Sequence, residues 1–583
     1  MSQTAALAGV VVTVVATLAI GAFGLRISRT TSDFYVASRS VTPRRNGAAV
    51  SGEYLSGASF LGVAGLVLAY GVDMLWYPVG YAVGYLVVLT LVAAPLRRSG
   101  AYTLPDFAEA RLESHRVRLL ASVLVVLIGW LYLLPQFQAA GLVLRTVFGV
   151  PTWVGPALVA GVVLVNVVSG GMRSITLVQA FQYWLKLLAL ALPLVFLAIA
   201  WRADGAPPAA YDGPPVVRQD TVVRVGEPVT VDVATPLSVD VTGVVDARRV
   251  DGPIVLEAGG HRLGTGTELD LPAGSEVPLE AGAPRIDGGA WLRPVEQGRE
   301  HALYWTLSLM VGLFFGTMGL PHVLVRFYTN PDGAGARRTT FVVLGLLGLF
   351  YLLPGVYGAL GRLYAPDTLV SGPETAVLVL PGRLVEGSLG DVLTALVMAG
   401  AFAAFLSTSS GLAVSVSGVL SQDLLHRRMR SGVGAFRVAA CLAVVVPFFL
   451  ALGTERLSVA NVVGLVFAVA ASTFSPLLLL GIWWRGLTAA GATAGMLAGG
   501  GLSLSAIVLA IAGLVPTGGW LGSVLAQPAA VTVPVALLVM VVVSFVTKRR
   551  LPRGVARTMV RLHTPETVEL DRGDWRPLRP RSR

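Results

Sequence analysis

The stretch NGAAVSGEYLSGASFLGVAGLVLAYG, residues 46–71, is long enough to cross a bilayer, yet it carries Glu53 and glycines at positions 52, 57, 62 and 65. Glycine weakens a helix and frees backbone hydrogen-bonding groups. In a membrane such groups have to line a cavity or bind a ligand. We therefore predict a helix that is broken near its middle. Taken alone, the segment also fits an interpretation in which small residues only allow close helix packing.

A second segment has the same character. LYWTLSLMVGLFFGTMGLPHVLVRF, residues 303–327, contains Gly312, Gly316, Gly319 and Pro321. Glycine and proline together predict a second broken helix. The two segments are the second and the seventh of the predicted spans, which is the spacing expected for two five-helix inverted repeats. Folds of this kind hold the substrate and the coupling ion at the breaks, near the bilayer midplane.

The composition indicates a polytopic membrane protein. Of the 583 residues, 54% are hydrophobic and 13% are charged, and the mean hydropathy is +0.72, whereas soluble domains have about 25% charged residues. The single cysteine, Cys441, excludes an intramolecular disulfide and a cysteine metal cluster. Apolar run lengths predict an all-α fold of about thirteen transmembrane helices, with approximate bounds 5–25, 47–70, 74–95, 118–147, 152–169, 175–200, 303–325, 339–361, 388–424, 434–453, 457–483, 487–514 and 527–547.

The net charge of +11 is concentrated in short loops between apolar segments, which indicates topology rather than nucleic-acid binding. Basic loops face the cytoplasm. The N-terminus is therefore predicted outside and the C-terminus inside, in agreement with an odd number of spans. The loops assigned to the cytoplasm carry Arg26, Arg29, Arg39, Arg44, Arg45, Arg97, Arg98, Arg111, Arg116, Arg118, Arg326, Arg337, Arg338, Arg427, Arg428 and Arg430.

One polar region interrupts the apolar pattern. Residues 202–300 alternate apolar and polar residues between turn signals, which predicts a small β-rich extracellular insert, most simply a structural cap. The chain then divides into a first transmembrane helix with a basic cytoplasmic loop, a first inverted repeat, the insert, a second inverted repeat, C-terminal accessory helices and a basic cytoplasmic tail, at residues 1–46, 47–201, 202–300, 301–483, 484–547 and 548–583.

The ninth predicted span carries four consecutive hydroxyl residues in the stretch AAFLSTSSGLAVSVSG, residues 403–418. On a helix, Ala404, Ser407 and Thr408 share one face. Two hydroxyls and a carbonyl oxygen form a partial shell for a small hard cation, and unwound carbonyls at Gly52 and Leu55 can complete it. The alternative is that each hydroxyl bonds back to the carbonyl four residues earlier. That alternative is preferred for Ser409, Ser415 and Ser417.

At this point the chain resembles the sodium:solute symporter family, which has the five-plus-five inverted-repeat fold of the leucine transporter. The resemblance covers roughly residues 30 to 545 and is closest to the acetate and short-chain monocarboxylate permease branch. The run FGTMGLPH is the most specific, because the proline-transporting branch has bulkier aromatic residues around the same glycines. The stretches that carry the resemblance are EYLSGASFLG at 53–62, YTLPDFAEARL at 102–112, FGTMGLPHVLVRFYT at 315–329 and LSQDLL at 420–425.

The resemblance implies a sodium site, with Na+ as a coupling ion rather than a tightly bound cofactor. Its ligands would be the carbonyls of Gly52, Leu55 and Ala404 and the hydroxyls of Ser407 and Thr408, the same face that the helical spacing indicates. Many sodium-coupled members have an aspartate that assists sodium where this chain has Gln179. One sodium ion per transport cycle is therefore expected.

The resemblance also implies a substrate pocket between the second, fourth and seventh spans. Free backbone amides at Ser56 and Gly57 would face a small carboxylate, as helix N-termini do in such folds. Thr317 stands where the proline branch has a large aromatic residue, which favours an acid of two to four carbons over a sugar. The pocket residues implied are Tyr54, Ser56, Gly57, Gln136, Thr317 and Pro321.

An acid inside a membrane span is a functional hypothesis by default, so Glu53 could carry a proton, tune the cation site or pair with a buried donor. Asp423 and Arg427 are interpreted as interfacial anchors, and His322 as a packing or hydrogen-bonding residue. The predicted function is sodium-coupled import of acetate, propionate or pyruvate by alternating access. Three alternatives stay open: proton coupling through Glu53, a sodium symporter for another small organic solute, and a membrane sensor.

The loops show neither a nucleophile–base set nor a metal cluster, so an enzyme is not expected. The expected partners are a small organic anion and the lipid bilayer, with no nucleic acid. We expect a monomer or a weak homo-oligomer, located as a multi-pass protein in the bacterial cytoplasmic membrane.

Overall fold

The computed structural model describes residues 3–27, 31–209, 213–226, 228–281, 283, 288–295, 300–425, 432–454, 459–516, 518–566 and 568. Four of the arginines assigned to cytoplasmic loops, Arg29, Arg427, Arg428 and Arg430, lie outside these residues, as does most of the tail. The interpretation of Arg427 as an interfacial anchor also lies outside them. In the described part the chain is a bundle of helices with one antiparallel sheet inserted between the two halves.

The described residues before the sheet form nine helices. Their bounds are α1 Gln3–Ile27, α2 Thr31–Val36, α3 Pro43–Tyr54, α4 Val63–Tyr70, α5 Trp76–Val87, α6 Ala93–Arg98, α7 Leu104–Leu112, α8 His115–Phe148 and α9 Val154–Ala203. Short 3-10 turns at Ala37–Arg39 and Val72–Leu75 and π turns at Ala58–Gly62 and Val88–Val92 connect or extend them.

The second half continues after the sheet. Its helices are α10 Gly288–Trp291, α11 Ala302–Gly319, α12 Pro321–Val325, α13 Gly333–Tyr364, α14 Thr368–Ser371, α15 Ala376–Leu384, α16 Gly387–Val419, α17 Gly432–Gly453, α18 Val459–Trp483, α19 Ala489–Ile511, α20 Gly519–Ala526, α21 Ala529–Val546 and α22 Val555–His563. A π turn at Leu420–Leu425 extends α16, and 3-10 turns lie at Arg326–Thr329, Pro373–Thr375 and Lys548–Arg550.

Both predicted helix breaks are present. After α3 the chain leaves the helical conformation at Leu55 (φ −74°, ψ 85°), and the two parts of the span, Pro43–Tyr54 and Ala58–Tyr70, differ in direction by 70°. The second break is at Leu320 (φ −71°, ψ 116°), where α11 ends and Pro321 begins α12. The residue before a proline is pushed towards extended backbone, which explains the position of this break.

Eleven helices of the described chain are long and apolar enough to span a membrane, and the bent pair at the first break makes twelve. Thirteen were predicted, and the difference lies in α9. The predicted spans 152–169 and 175–200 form one continuous element of 50 residues with non-helical backbone at Gly171 (φ 54°, ψ −153°). A straight helix of that length would measure about 75 Å, well beyond a bilayer of about 40–45 Å. We therefore expect α9 to cross the membrane twice, turning at Gly171.

Several basic loops meet at one end of the bundle. Arg39 donates to the carbonyl of Gly100 at 2.7 Å, Arg97 donates to the carbonyl of Asn330 at 2.5 Å, and Arg98 pairs with Glu566 at 3.3 Å. This end of the bundle therefore contains four segments of the chain. They are the loop around Arg39, the loop around Gly100, the loop after α12 and the segment after α22. By the positive-inside rule, we predict that this end faces the cytoplasm.

Among the described residues between α9 and α10 there are seven strands. They are β1 Thr221–Arg224, β2 Val229–Val233, β3 Leu237–Val245, β4 Arg248–Leu256, β5 Gly259–Leu263, β6 Glu268–Leu271 and β7 Leu279–Glu280. The order is β1-β6-β3-β5-β2-β7, with β4 paired to β3, and all pairings are antiparallel. Asp246 and Ala247 both have positive φ between β3 and β4, as the two-residue hairpin turn that suits strand twist requires.

Candidate functional site

The two helix breaks lie next to each other in the centre of the bundle. The Tyr54 hydroxyl, at the end of α3, and the Thr317 hydroxyl, in the last turn of α11, are 2.6 Å apart and hydrogen-bonded. Thr317 also donates to the Leu313 carbonyl at 2.8 Å, so in the Tyr54–Thr317 pair Tyr54 is the donor. Both side chains are buried. The structure thus joins residues that are 263 positions apart in the sequence.

The five residues predicted to bind sodium come together at the first break. Thr408 on α16 donates to the Glu53 carbonyl at 2.6 Å, and Ser407 donates to the Ala404 carbonyl at 3.1 Å. The carbonyls of Gly52 and Leu55 point to the same place, because both accept hydrogen bonds from one donor that also reaches Ser407. The break in α3 therefore faces the hydroxyl face of α16.

That shared donor is the ammonium group of Lys186 on α9. Its Nζ donates to the Gly52 carbonyl, to the Leu55 carbonyl at 2.7 Å and to the Ser407 hydroxyl oxygen at 2.9 Å. Lys186 is fully buried. A cation attached to the chain thus lies among three of the five oxygens predicted to hold sodium. Because these oxygens already accept hydrogen bonds from the Lys186 ammonium, they do not fit a sodium ion at the same time.

Glu53 is held in a buried ion pair rather than left facing a cavity. Arg326 Nε donates to Glu53 Oε2 at 2.5 Å, and both side chains are 1% exposed. The other nitrogens of Arg326 donate to Thr176 at 2.9 Å and to the Gln179 side-chain oxygen. Of the three roles considered for Glu53, this geometry favours pairing with a buried donor. It also corrects the assignment of Arg326 to an exposed basic loop, because Arg326 is completely buried.

Gln179 connects the Glu53–Arg326 ion pair to α16, the helix that carries Ser407 and Thr408. Its amide nitrogen donates to the Ser407 carbonyl at 2.8 Å while its oxygen accepts from Arg326. An aspartate at this position could accept from Arg326 but could not donate to a carbonyl. The departure from the sodium-binding pattern at Gln179 therefore suits the local hydrogen-bond network.

Two glycines allow this close packing. A Cβ on Gly52 would lie 2.2 Å from the Gln179 carbonyl oxygen, and a Cβ on Gly411 would lie 2.1 Å from Glu53. Carbon atoms cannot approach other heavy atoms so closely without displacing them. Gly52 lets α3 approach α9, and Gly411 leaves room for the Glu53 carboxyl beside α16.

The residues predicted to bind substrate lie around the same breaks. The Gly57 amide donates to Gln136 Oε1 at 3.1 Å, and the Ser56 amide donates to the Tyr54 carbonyl at 2.9 Å. The prediction that these two amides are free for a carboxylate is therefore wrong in this structure, since each has a protein acceptor. The unwound segment is short enough for its amides to be satisfied locally and by α8.

Other donors in this region lack an acceptor. Within the described residues, Nε2 of Gln136, both ring nitrogens of His322 and the hydroxyl of Tyr85 are buried without a hydrogen-bond partner. The ring of Tyr132, one helical turn before Gln136, lies 5.4 Å from the His322 ring. Buried polar groups without a partner cost free energy, so such a cluster is the kind of place where a polar ligand binds.

Aromatic rings limit the size of this region. The Tyr54 ring packs edge-on against Tyr81 and Tyr85, with centroid distances of 5.7 and 4.8 Å, and Phe467 lies 6.2 Å away. A separate pocket is lined by Tyr102, Thr103, Pro321, Val414, Ser415 and Phe436. Pro321, predicted in the substrate pocket, therefore follows the second break directly and lines this pocket.

A family model described as the sodium:solute symporter family matches residues 34–205 and 295–499, more than half of the chain. The chain belongs to the sodium:solute symporter family. The unmatched residues between the two ranges include the seven strands of the described chain, so the family model does not cover the sheet.

Two curated relatives cover most of this symporter. It is 30% identical over 501 residues to an uncharacterized symporter, YwcA, of Bacillus subtilis (strain 168), covering 85% of this chain and 83% of that protein. It is 29% identical over 540 residues to a protein named monocarboxylic acid transporter from Corynebacterium glutamicum, covering 88% and 87%. The family and these relatives are transporters.

The fold also matches a solved symporter. A Na+-coupled sialic acid symporter in its substrate-bound outward-open state has a TM-score of 0.63 to this chain at 13% identity, covering 93% of this chain and 97% of that one. At this level of identity the likeness concerns the fold. The architecture is therefore that of the leucine-transporter-like symporters, mostly helical and membrane-embedded.

Lys186 and the role of Arg326 were missed by the sequence interpretation of this symporter. A lysine within the apolar run between Gln179 and Pro193 was visible, and an ionisable residue within a span is itself a functional signal. Its partners were not visible, because they lie 134, 131 and 221 positions away. Asp423 was interpreted as an interfacial anchor, and it pairs with Arg118 at 2.6 Å.

Proposed function

We propose that this symporter carries a small monocarboxylate across the cytoplasmic membrane by alternating access, with acetate, propionate and pyruvate as the substrate class. The observation that carries the proposal is the cluster of unpartnered donors at the helix breaks, the amide of Gln136 and the imidazole of His322. A carboxylate accepts hydrogen bonds only, so donors without acceptors suit it.

The charges around the breaks support a monoanion. Glu53 and Arg326 cancel each other in one ion pair, and the ammonium of Lys186 adds one positive charge on the other side of the unwound segment. One carboxylate would bring the group to neutrality, which lowers the cost of burying it. A dicarboxylate would leave an unmatched negative charge.

The dimensions support a small molecule. Tyr54, Tyr81, Tyr85 and Phe467 pack against one another at the breaks, so a sugar-sized ligand would have to displace several rings. The relationship to a protein named monocarboxylic acid transporter supports the same substrate class.

Two observations about the coupling cation point in opposite directions. Family membership and a Na+-coupled structural neighbour support sodium at Gly52, Leu55, Ala404, Ser407 and Thr408. Lys186 lies among three of these residues. The substrate and the coupling cation therefore need separate experiments.

Counterflow in proteoliposomes tests the substrate without a driving gradient. Vesicles loaded with unlabelled pyruvate are diluted into labelled pyruvate, with the same pH and the same sodium concentration on both sides. We expect transient accumulation of label that empty liposomes and vesicles loaded with glucose do not show. Absence of counterflow with every monocarboxylate tested would contradict the proposed function.

Gln136→Leu and His322→Phe are the matching variants. Each removes one of the unpartnered donors while keeping a similar volume, and each is expected to raise the KM for pyruvate about tenfold or more, since a hydrogen bond to a charged group contributes about 1.5–3 kcal/mol. Gln136→Leu also removes the acceptor of the Gly57 amide, so His322→Phe is the cleaner of the two. Ser409→Ala, which removes a buried hydroxyl that has no partner among the described residues, is the control and should leave the KM unchanged.

A further inference from the structure

We propose that Lys186 is a cation built into the chain that takes the place of the sodium ion, so that the transport cycle of this symporter does not require sodium. The proposal rests on the proposed function for its transport readout. It does not depend on which acid is carried. The juxtaposition that carries it is the Lys186 ammonium held by the Gly52 and Leu55 carbonyls and the Ser407 hydroxyl.

The Lys186 ammonium group has as many hydrogen-bond acceptors around it as it has N–H donors. A lysine ammonium has three N–H donors and no acceptor. Nζ has three acceptors, two of them backbone carbonyls released by the helix break and one a hydroxyl oxygen. Every proton of the buried group is therefore satisfied, which is the condition for burying an ammonium group in a protein interior.

The same contacts exclude a second cation. A sodium ion bound by Gly52, Leu55 and Ser407 would have to lie within bonding distance of the three oxygens that surround Nζ. Two cations cannot occupy that space, and their charges repel each other strongly where little water screens them. Sodium could bind there only after the Lys186 side chain had left.

The groups around Lys186 come from several helices. Hydrogen bonds of Gln182, Tyr183 and Lys186 join this part of α9 to α1, α13, α3 and α16. Glu53 on α3 is the carboxylate whose charge acts on Lys186, and it is already paired with Arg326. The hydroxyls of Tyr183 on α9 and Tyr357 on α13 donate to the carbonyls of Leu346 and Leu190. Lys186 therefore supplies the single net positive charge that a bound sodium ion would supply.

The lysine also makes the connections that a bound ion would make. Its acceptors belong to α3 and α16, and it is itself part of α9. A free ion at this point would join α3 to α16 only while bound. The tethered ammonium joins the two repeats without a binding step, and sodium concentration then has no means of acting here.

The first test uses the unmodified protein. Binding of radioactive sodium to the purified symporter is measured without substrate, and pyruvate counterflow is measured in sodium-free and sodium-containing buffers. We expect no saturable sodium binding and less than about a twofold change in the counterflow rate. Saturable sodium binding together with sodium-stimulated counterflow would overturn the proposal. Failure of counterflow in both buffers would reject the substrate and leave the sodium-binding result to decide this inference.

The second test removes the built-in cation. Lys186→Ala frees the three oxygens and opens space beside them, so sodium should bind and stimulate counterflow by about fivefold or more, the lower end of typical coupling between ligands. Adding Ser407→Ala to Lys186→Ala should abolish that stimulation. A folded Lys186→Ala protein that transports at the normal rate and ignores sodium would overturn the proposal. If this variant does not fold, the sodium-binding measurement on the unmodified protein still decides.

Discussion

At the residue scale, the adjacent hydroxyls of Ser407 and Thr408 have different partners although they share one helix face. Ser407 accepts from Lys186 and donates to the Ala404 carbonyl, while Thr408 donates across to the Glu53 carbonyl. The neighbouring Ser409 hydroxyl has no partner among the described residues. The effects of removing each of these three consecutive hydroxyls can therefore be compared within one helix.

Ser407→Ala should destabilise the protein by about 1.5–3 kcal/mol, because one N–H of a buried ammonium loses its acceptor. Ser409→Ala, the matched control, should change the stability by less than about 0.5 kcal/mol. The measurement is the free energy of unfolding in detergent, with each variant compared at the same lipid content. Equal effects of the two substitutions would contradict the role given to Ser407.

The Glu53–Arg326 pair gives a second prediction. Glu53→Gln leaves the guanidinium of Arg326 buried without its counter-charge, and breaking a buried pair costs about 3–5 kcal/mol. The double variant Glu53→Gln with Arg326→Gln removes both charges and should be more stable than Glu53→Gln alone. Thermal unfolding of the four proteins of this cycle gives the coupling, and strictly additive effects would argue against the ion pair.

The sequence predicted some of the residues that meet at the first helix break but not the lysine that lies among them. Ser407, Thr408, Gly52 and Leu55 were predicted from helical spacing and from the helix break. Lys186 was not, because pairing a single lysine with carbonyls more than 130 positions away requires the tertiary structure. The predicted free amides of Ser56 and Gly57 failed for a related reason, since Gln136 reaches Gly57 from another helix.

At the element scale, the breaks in α3–α4 and α11–α12 were predictable because glycine and proline act locally. Hydropathy likewise divides 152–200 into two runs, and the backbone leaves the helical conformation between them, at Gly171. The close approach between helices could not be predicted from the sequence, because it depends on which glycine faces the backbone of which neighbouring helix.

Gly52→Ala tests that close approach. The added Cβ would lie 2.2 Å from the Gln179 carbonyl oxygen, so α3 and α9 must separate and the Gly52 carbonyl must move away from Lys186. We expect a loss of about 1–3 kcal/mol of stability, as for overpacking in a core, together with reduced pyruvate counterflow. Gly348→Ala on α13, where a Cβ meets nothing within 4 Å, is the control and should be neutral or slightly stabilising.

At the scale of the whole molecule, the basic loops and the segment after α22 gather at one end, and the sheet is inserted between α9 and α10. We predict that the basic end faces the cytoplasm and that the sheet lies outside. Val255 on the sheet is 56% exposed, and Arg338 at the start of α13 is also exposed. Both positions can therefore be labelled.

Single cysteines at these positions, in a Cys441→Ser background, give a direct readout of orientation. A membrane-impermeant maleimide should label Val255→Cys in intact cells and should label Arg338→Cys only after the membrane is opened. The reverse pattern would invert the topology. Labelling of both positions in intact cells would show that the cells leak, so a cytoplasmic marker protein is assayed in parallel.

Competition against labelled pyruvate in counterflow tests most directly whether this symporter carries small monocarboxylates at the helix breaks. Pyruvate is the better label, because acetate and propionate cross lipid more readily as neutral acids. The panel contains acetate, propionate, succinate, proline, glucose and sialic acid, each in excess over pyruvate. We expect acetate and propionate to suppress pyruvate counterflow and the other four compounds to leave it unchanged. Suppression by proline, glucose or sialic acid, with no effect of the monocarboxylates, would contradict this expectation.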